Sequence, residues 1–217
     1  MEHIQETVSG MVLYAGAVGD YDKRVVLLTK ERGRITAFAR GARRQGSPLM
    51  AAVLPFCYGE FTLYTGRDYH VITKAVPSRF FNGFSTDIEK TCYASYFAEV
   101  MDYISRENED GKDLLLHLYA SLLELEKDRS PLVLVRSIFE LRTLKLEGVL
   151  SPENVPEDLL EGTRQAIRHI HDTDPGHLYA FQVSEEVRNE LALLSGRMFR
   201  NYTGHRFTSL DILDAIS

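Results

Sequence analysis

The stretch RGRITAFARGARRQGSP, Arg32 to Pro48, carries five arginines in seventeen positions and no acid. From Lys23 to Arg44 there are eight cations against one acid, Glu31. Guanidinium groups offer planar N–H forks to phosphate oxygens and stack on aromatic faces. Strand alternation splits RITAFAR into Ile35, Ala37 and Ala39 on one face and Arg34, Thr36, Phe38 and Arg40 on the other. With the small apolar set buried, an aromatic ring flanked by arginines faces outward. Cations then meet phosphates while the ring stacks a base, for about 1–3 kcal/mol whatever the base. Gly41–Gly46 is short of bulk and reads as a mobile basic loop. A solvated edge strand also carries charge, but charge of a single sign repels itself unless an anion relieves it. The candidate polyanion-binding set is Arg24, Lys30, Arg32, Arg34, Phe38, Arg40, Arg43 and Arg44, with Lys23 widening the field.

Other chemistry is thinner. Asp20 and Asp22 stand beside cations, but two acids do not make a metal-dependent nuclease, and GDYDKR reads as a turn. HIHDTDPGH offers His169, His171, Asp172, Asp174 and His177, yet the spacing is not that of a closed zinc site and reads as a polar loop. No Ser-His-Asp set, phosphate-binding glycine loop or dinucleotide fingerprint is present, so neither an enzyme nor a cofactor or metal is expected.

The elements that must hold the basic stretch are legible. Residues 1–79 contain short β-rich runs, SGMVLYAGAV, RVVLLT, RITAFAR, YGEFTLYTG and YHVITKAV, broken by Gly and Asp turns, the last at Gly66-Arg67-Asp68. Without a crossover helix between the early strands, they predict a small five-stranded barrel of the OB type, with a short helix in GSPLMAAVLPF. Beyond Pro77 the period becomes helical. Thr86 and Glu89 form a capping-box pattern before IEKTCYASYFAEVMDYI, and KDLLLHLYASLLELEK follows. Ser130-Pro131 opens a third helix that should stop at Gly148. On it, Arg136, Glu140, Thr143 and Glu147 form a polar stripe. SEEVRNELALLSGRMFRNY and SLDILDAI complete the helices, and residues 151–183 read as a loosely structured segment with one short helix.

Charge follows the same division: residues 1–79 hold 11 Lys and Arg against 7 Asp and Glu, whereas residues 80–217 hold 14 against 24. That asymmetry suits a polyanion-binding front joined to a back with another task. Cys57 and Cys92 are lone thiols, which suits a reducing, cytoplasmic setting and two core side chains. No apolar run approaches the ~20 residues of a membrane span, and no basic, apolar leader opens the chain.

VLYAGAVGDYDKRVVLLTKERGRITAFARGARR and LPFCYGEFTLYTG resemble the N-terminal domain of the bacterial RecO recombination-mediator and repair family. YASYFAEVMDYI and FELRTLKLEGVLSP resemble its helical domain, so the similarity runs from about Thr7 to Pro152. The resemblance implies an α+β chain, an OB-fold barrel at 1–79 followed by an α-helical domain at 80–217, without a catalytic centre. It implies a mediator that binds single- and double-stranded DNA and anneals complementary strands. Such a mediator works with RecR and the acidic C-terminal tail of single-strand binding protein to load the recombinase, at the bacterial nucleoid. The family's basic positions fall on Arg34, Arg40, Arg43 and Arg44. On the third helix, Arg136, Phe139, Arg142 and Lys145 are the candidate residues for docking that acidic, Phe-ended tail. Many members carry a four-cysteine zinc site after the position of Pro152, which a chain with no cysteine beyond Cys92 cannot form. The rival of a different class is a protein-interaction adaptor with weak or no DNA binding.

Overall fold

The computed structural model describes residues 4–66 and 69–216; the turn expected at Arg67 and Asp68 lies outside the described residues. Val, Ile, Thr and aromatic runs form five strands: β1 (Ile4–Val18), β2 (Asp22–Thr29), β3 (Gly33–Ala39), β4 (Cys57–Thr65) and β5 (His70–Phe80). They close into a barrel in the order β1-β2-β3-β5-β4, antiparallel except between β3 and β5. A short helix, α1 (Leu49–Ala52), lies between β3 and β4 where GSPLMAAVLPF placed it. This is an OB-type barrel. Its core gathers Val12, Val25, Leu27, Ile35, Ala37, Phe61, Leu63 and Ile72 with Leu49 and Val53 of the α1 region. Ile35, Ala37 and Ala39 are fully buried, as strand alternation requires. β1 is longer than expected because the polar run before Gly10 pairs with β4, Thr7 opposite Thr62, a non-local partner that local pattern does not reveal.

The described chain divides into two compact units. One takes the residues up to Gly83 together with Ala98–Leu115; the other takes Phe84–Phe97 and the residues from Leu116 onward. The sheet ends close to the boundary expected at residue 79, and the compact unit built on it also takes in 98–115. Backbone bonds stitch that segment to the β2–β3 tip. Arg34 donates its N–H to the Arg106 carbonyl (3.0 Å), Asn108 to that of Arg32 (3.0 Å) and Gly111 to that of Lys30 (3.0 Å). Gly33, at φ 59°, has no room for a side chain: a Cβ would lie 2.2 Å from the Arg106 carbonyl oxygen.

The second unit is helical: α2 (Ile88–Ile104) and α3 (Lys112–Lys127), through which the division runs, then α4 (Leu132–Leu146), α5 (Glu161–Asp172), α6 (Glu185–Thr203) and α7 (Thr208–Ile216). Two starts differ from expectation. The side chain of Asp87, not Thr86, accepts the Lys90 N–H (3.1 Å). Ser130 donates to Glu124 (2.8 Å) rather than capping α4. α4 does stop before Gly148, at φ 71°, and Ser184 caps α6 as an N-cap serine should.

Packing around α4 sets the core. Phe139 stacks on Phe97 at 4.0 Å between ring centroids and on His117 at 4.8 Å. Glu140 and Thr143 are buried, so the expected polar stripe is interior rather than surface. Residues 151–183 are more ordered than composition suggested. α5 buries Thr163, Ala166, Ile167 and Ile170, and Arg142 donates to the carbonyls of Ile170 (2.8 Å) and His171 (2.9 Å) in its last turn. A guanidinium there satisfies carbonyls that the helix leaves open and complements its dipole. Both cysteines are buried, and burial pushes the Cys57 thiol up to about 11. No helix among the described residues is long and apolar enough to cross a membrane.

Two stability experiments test this packing. His117 is fully buried, and burial pushes its imidazole down to about 3, so it is neutral and its Nε2–H donates to the Phe139 carbonyl (3.1 Å). Its folded value lies below the usual 6.5, so its stabilisation is complete above pH ~6.5 and is lost as pH falls toward ~3, at roughly 1.4 kcal/mol per unit. Urea unfolding from pH 7 to pH 4.5 should show that decline, and His117→Leu should flatten it. Arg142→Leu should cost about 2–4 kcal/mol in the same assay, because carbonyls of a helix end lose a charged donor.

Candidate nucleic-acid interface

A basic run that is continuous in sequence need not be continuous in space. β2 and β3 form an antiparallel hairpin in which Lys23 opposes Ala39, Arg24 opposes Phe38, and Thr29 opposes Gly33. Residues 23–24 and 40–44 therefore meet at one end, while Lys30, Arg32 and Arg34 lie toward the tip. At about 3.3 Å per residue, the ends are separated by roughly 20 Å.

The tip is neutralised internally. Arg32 forms ion pairs with Glu6 and Glu107 and donates to Asn108 (2.6 Å). Arg34 forms an ion pair with Asp102. Glu107 also meets His70 at 3.0 Å, and Ser9 donates its N–H to Glu31 (3.0 Å). Arg32 and Arg34, expected to meet phosphates, are thus ion-paired cations that tie the 98–115 segment to the barrel. Lys30 is exposed, but apart from the other end's cluster.

The opposite end keeps its charge. Arg24, Arg40, Arg43 and Arg44 are exposed and Lys23 is half-buried; none meets a carboxylate among the described residues. The Gly41–Gly46 stretch is not mobile in the sense expected, because hydrogen bonds hold it to the β1–β2 loop. Asp22 accepts the Gly41 N–H (2.8 Å), the Tyr21 carbonyl accepts the Arg43 N–H (2.8 Å), and the Gly19 carbonyl accepts from the Arg43 guanidinium (3.0 Å). Ala42 is fully buried as the anchor. Asp22 is thereby a turn acceptor. Phe38 is half-buried on the outer face, opposite Arg24. Two rings that sequence reasoning missed are more exposed: Tyr14, with the Arg24 guanidinium 5.4 Å from its centroid, and Tyr21, with that of Arg44 at 4.8 Å. Their signal was present, since both lie beside the basic residues in YAGAVGDYDKR.

In the helical unit, the four α4 candidates separate. Phe139 is fully buried in the aromatic core, and Arg142 is 6% exposed and bonded to the end of α5, so neither offers a docking surface. Lys145 is half-buried. Arg136 lines a cavity of about 310 Å³ with Tyr96, Glu140, Phe199, Arg200, His205, Arg206 and Phe207. Burial opposes the Arg136 charge, but Glu140 at 2.7 Å outweighs it and raises the pKa. Tyr96 donates to the same oxygen of Glu140 (2.9 Å), and burial followed by that carboxylate pushes its phenol up. Arg206 is paired with Asp211 (2.9 Å), whereas Arg200 meets no carboxylate among the described residues. The α6–α7 stretch RMFRNYTGHRF, dense in cations and aromatics, held this information in the sequence.

The histidine segment does not assemble. His169 meets Thr173 at 3.3 Å, and His171 pairs with Asp172 at 2.8 Å. Among the described residues no group of three or more His, Cys, Asp or Glu is placed to hold a metal ion. With Cys57 in the barrel unit and Cys92 in the helical unit, the residues do not fit a four-thiolate zinc site. Burial of α5 and its cap by Arg142 hold that region instead.

Comparison with known proteins agrees with both units. Residues 1–81 match the family described as Recombination protein O N terminal, and residues 85–152 match Recombination protein O C terminal. The chain is 28% identical to the DNA repair protein RecO of Acetivibrio thermocellus over 96% of both chains. It is 25% identical to that of Clostridium perfringens strain 13 over 95% of this chain and 96% of that one. With that of Symbiobacterium thermophilum it shares 35% identity over 65% of this chain and 56% of the other. A barrel with one positively charged end, a helical unit built around α4, and these matches in register with both lead to one conclusion: the chain belongs to the recombination protein O family of DNA repair proteins.

Proposed function

We propose that this chain is a non-enzymatic recombination mediator that binds DNA through the Lys23, Arg24, Arg40, Arg43 and Arg44 end of its barrel and anneals complementary single strands. The observation that carries the reading is the sorting of charge: Arg32 and Arg34 near the hairpin tip meet acids, and among the described residues the cations at the other end meet none. Unrelieved like charge is costly until an anion arrives, and two strands neutralised at one surface repel each other less. The resemblance supports the remaining roles: work with RecR, loading of the recombinase onto strands coated by single-strand binding protein, contact with double-stranded DNA, and a cytoplasmic place at the nucleoid.

If these five cations meet about five phosphates, log affinity for a single strand should fall with log salt at a slope near −3.5. Arg40→Ala, Arg43→Ala and Arg44→Ala together should bring the slope to about −1.4 by removing three of the five contacts. Arg32→Ala and Arg34→Ala should lower stability and leave the slope unchanged. A flat salt response, with nuclease-resistant capture of proteins, would favour the adaptor reading.

A second surface is favoured by the helical cavity. Its aromatic walls and the Arg200 cation suit an acidic tail ending in an aromatic residue, the chemistry of the single-strand binding protein C-terminus. Arg200→Glu should weaken binding of a synthetic tail peptide at least tenfold by fluorescence anisotropy while leaving oligonucleotide affinity unchanged.

A further inference from the structure

The barrel surface beside the cationic end carries more than charge. Tyr14 on β1 is 47% exposed and Tyr21, in the β1–β2 loop, is 52% exposed. The geometry around each is specific. A Cβ placed on Gly16 would fall 2.4 Å from the Tyr14 hydroxyl oxygen and 2.9 Å from two of its ring carbons, so the hydroxyl end of the ring occupies the space above that glycine. Gly16 opposes Arg24 on β2, and Arg24 opposes Phe38 on β3. The Tyr14 ring, the guanidinium over it and Phe38 therefore form one row across three neighbouring strands. Tyr21 repeats the pairing at the loop, with Arg44 over its ring and its own carbonyl holding the Arg43 N–H.

A guanidinium stacked by its face keeps its N–H edges for phosphate oxygens. Each pair thus sets a phosphate donor against an aromatic plane, which are the two contacts a nucleotide offers when its base is out of a duplex. In paired DNA the base faces are covered by neighbouring bases, so only the phosphate half of each pair can be used.

We propose that Tyr14–Arg24 and Tyr21–Arg44, with Phe38 continuing the row, are base-stacking platforms through which the barrel binds unpaired strands more tightly than paired ones. A single strand crosses the strands of the barrel at this row, its phosphates on the arginines and its bases on the rings. This rests on the barrel being the DNA-binding unit, and adds to the electrostatic reading a term that tells single from double strands.

The test compares three probes by fluorescence anisotropy at one salt concentration: oligothymidylate, an abasic strand with the same number of phosphates, and a duplex, each about 16 nucleotides long, the upper site size of one such barrel. Each ring should contribute roughly 5- to 150-fold in affinity. The abasic strand should therefore bind at least tenfold more weakly than oligothymidylate. Tyr14→Leu with Tyr21→Leu should remove most of that gap without changing the salt slope, and Tyr14→Phe with Tyr21→Phe should keep it. Covering Gly16 is a structural role for Tyr14, but a purely structural role would weaken both strands alike and leave the gap intact. If Tyr14→Leu does not fold, Tyr21→Leu alone, placed in the loop, should narrow the gap. Equal binding of the base-bearing and abasic strands by the wild-type chain would overturn the platforms while leaving the electrostatic reading standing. No binding of any probe would overturn both.

Discussion

The antiparallel register of β2 and β3 governs the electrostatics of the barrel unit. A hairpin brings residues near its open end together and carries those near its tip away. The register therefore divides a run of eight cations into two populations with different neighbours. Those at the tip enter an acidic setting supplied by Glu6, Asp102 and Glu107, two of which lie in the segment after the barrel. Those at the open end are joined by a loop that Asp22 and the Tyr21 carbonyl hold in place. Positive charge is thus used both to assemble the unit and to leave an exposed cationic face, with the division set by backbone pairing.

A related constraint operates in the helical unit. α4 is buried on nearly every side, so its polar residues cannot be read as a solvated stripe. Glu140 is matched by Tyr96 and Arg136, and Arg142 by carbonyls at the end of α5. A buried charge with no partner would be strongly destabilising, so each polar group fixes a neighbouring element in register. In this way α5 is held without thiolates, in a region where the family resemblance raised the question of zinc. The cations left at the surface are instead on α6 and in the loop before α7, beside the aromatic walls of the cavity.

Much of this was legible from residue order. Local period and turn residues located the strands, the short α1 and the five helices α2, α3, α4, α6 and α7, because they depend on side-chain alternation and capping over a few positions. α5 was harder to place because the prolines around it mask a short amphipathic period. The candidate interface was half legible. Arg24, Arg40, Arg43 and Arg44 are exposed as expected, whereas Arg32 and Arg34 look identical in sequence and differ only in partners tens of residues away. Tyr14 and Tyr21 were not legible because their exposure and the arginine over each ring depend on how the strands and loops come together.

What the amino-acid order determined alone is the fold class, the concentration of positive charge in the barrel, and family membership through motifs that span both units. What only tertiary structure decided is which cations remain available, which of two similar arginines on α4 borders a cavity, and where the barrel unit ends. The physical reason is the range of each interaction. Periodicity and capping act within a turn or a strand, but neutralising a charge or burying a ring depends on whichever distant residue the fold brings within a few ångströms.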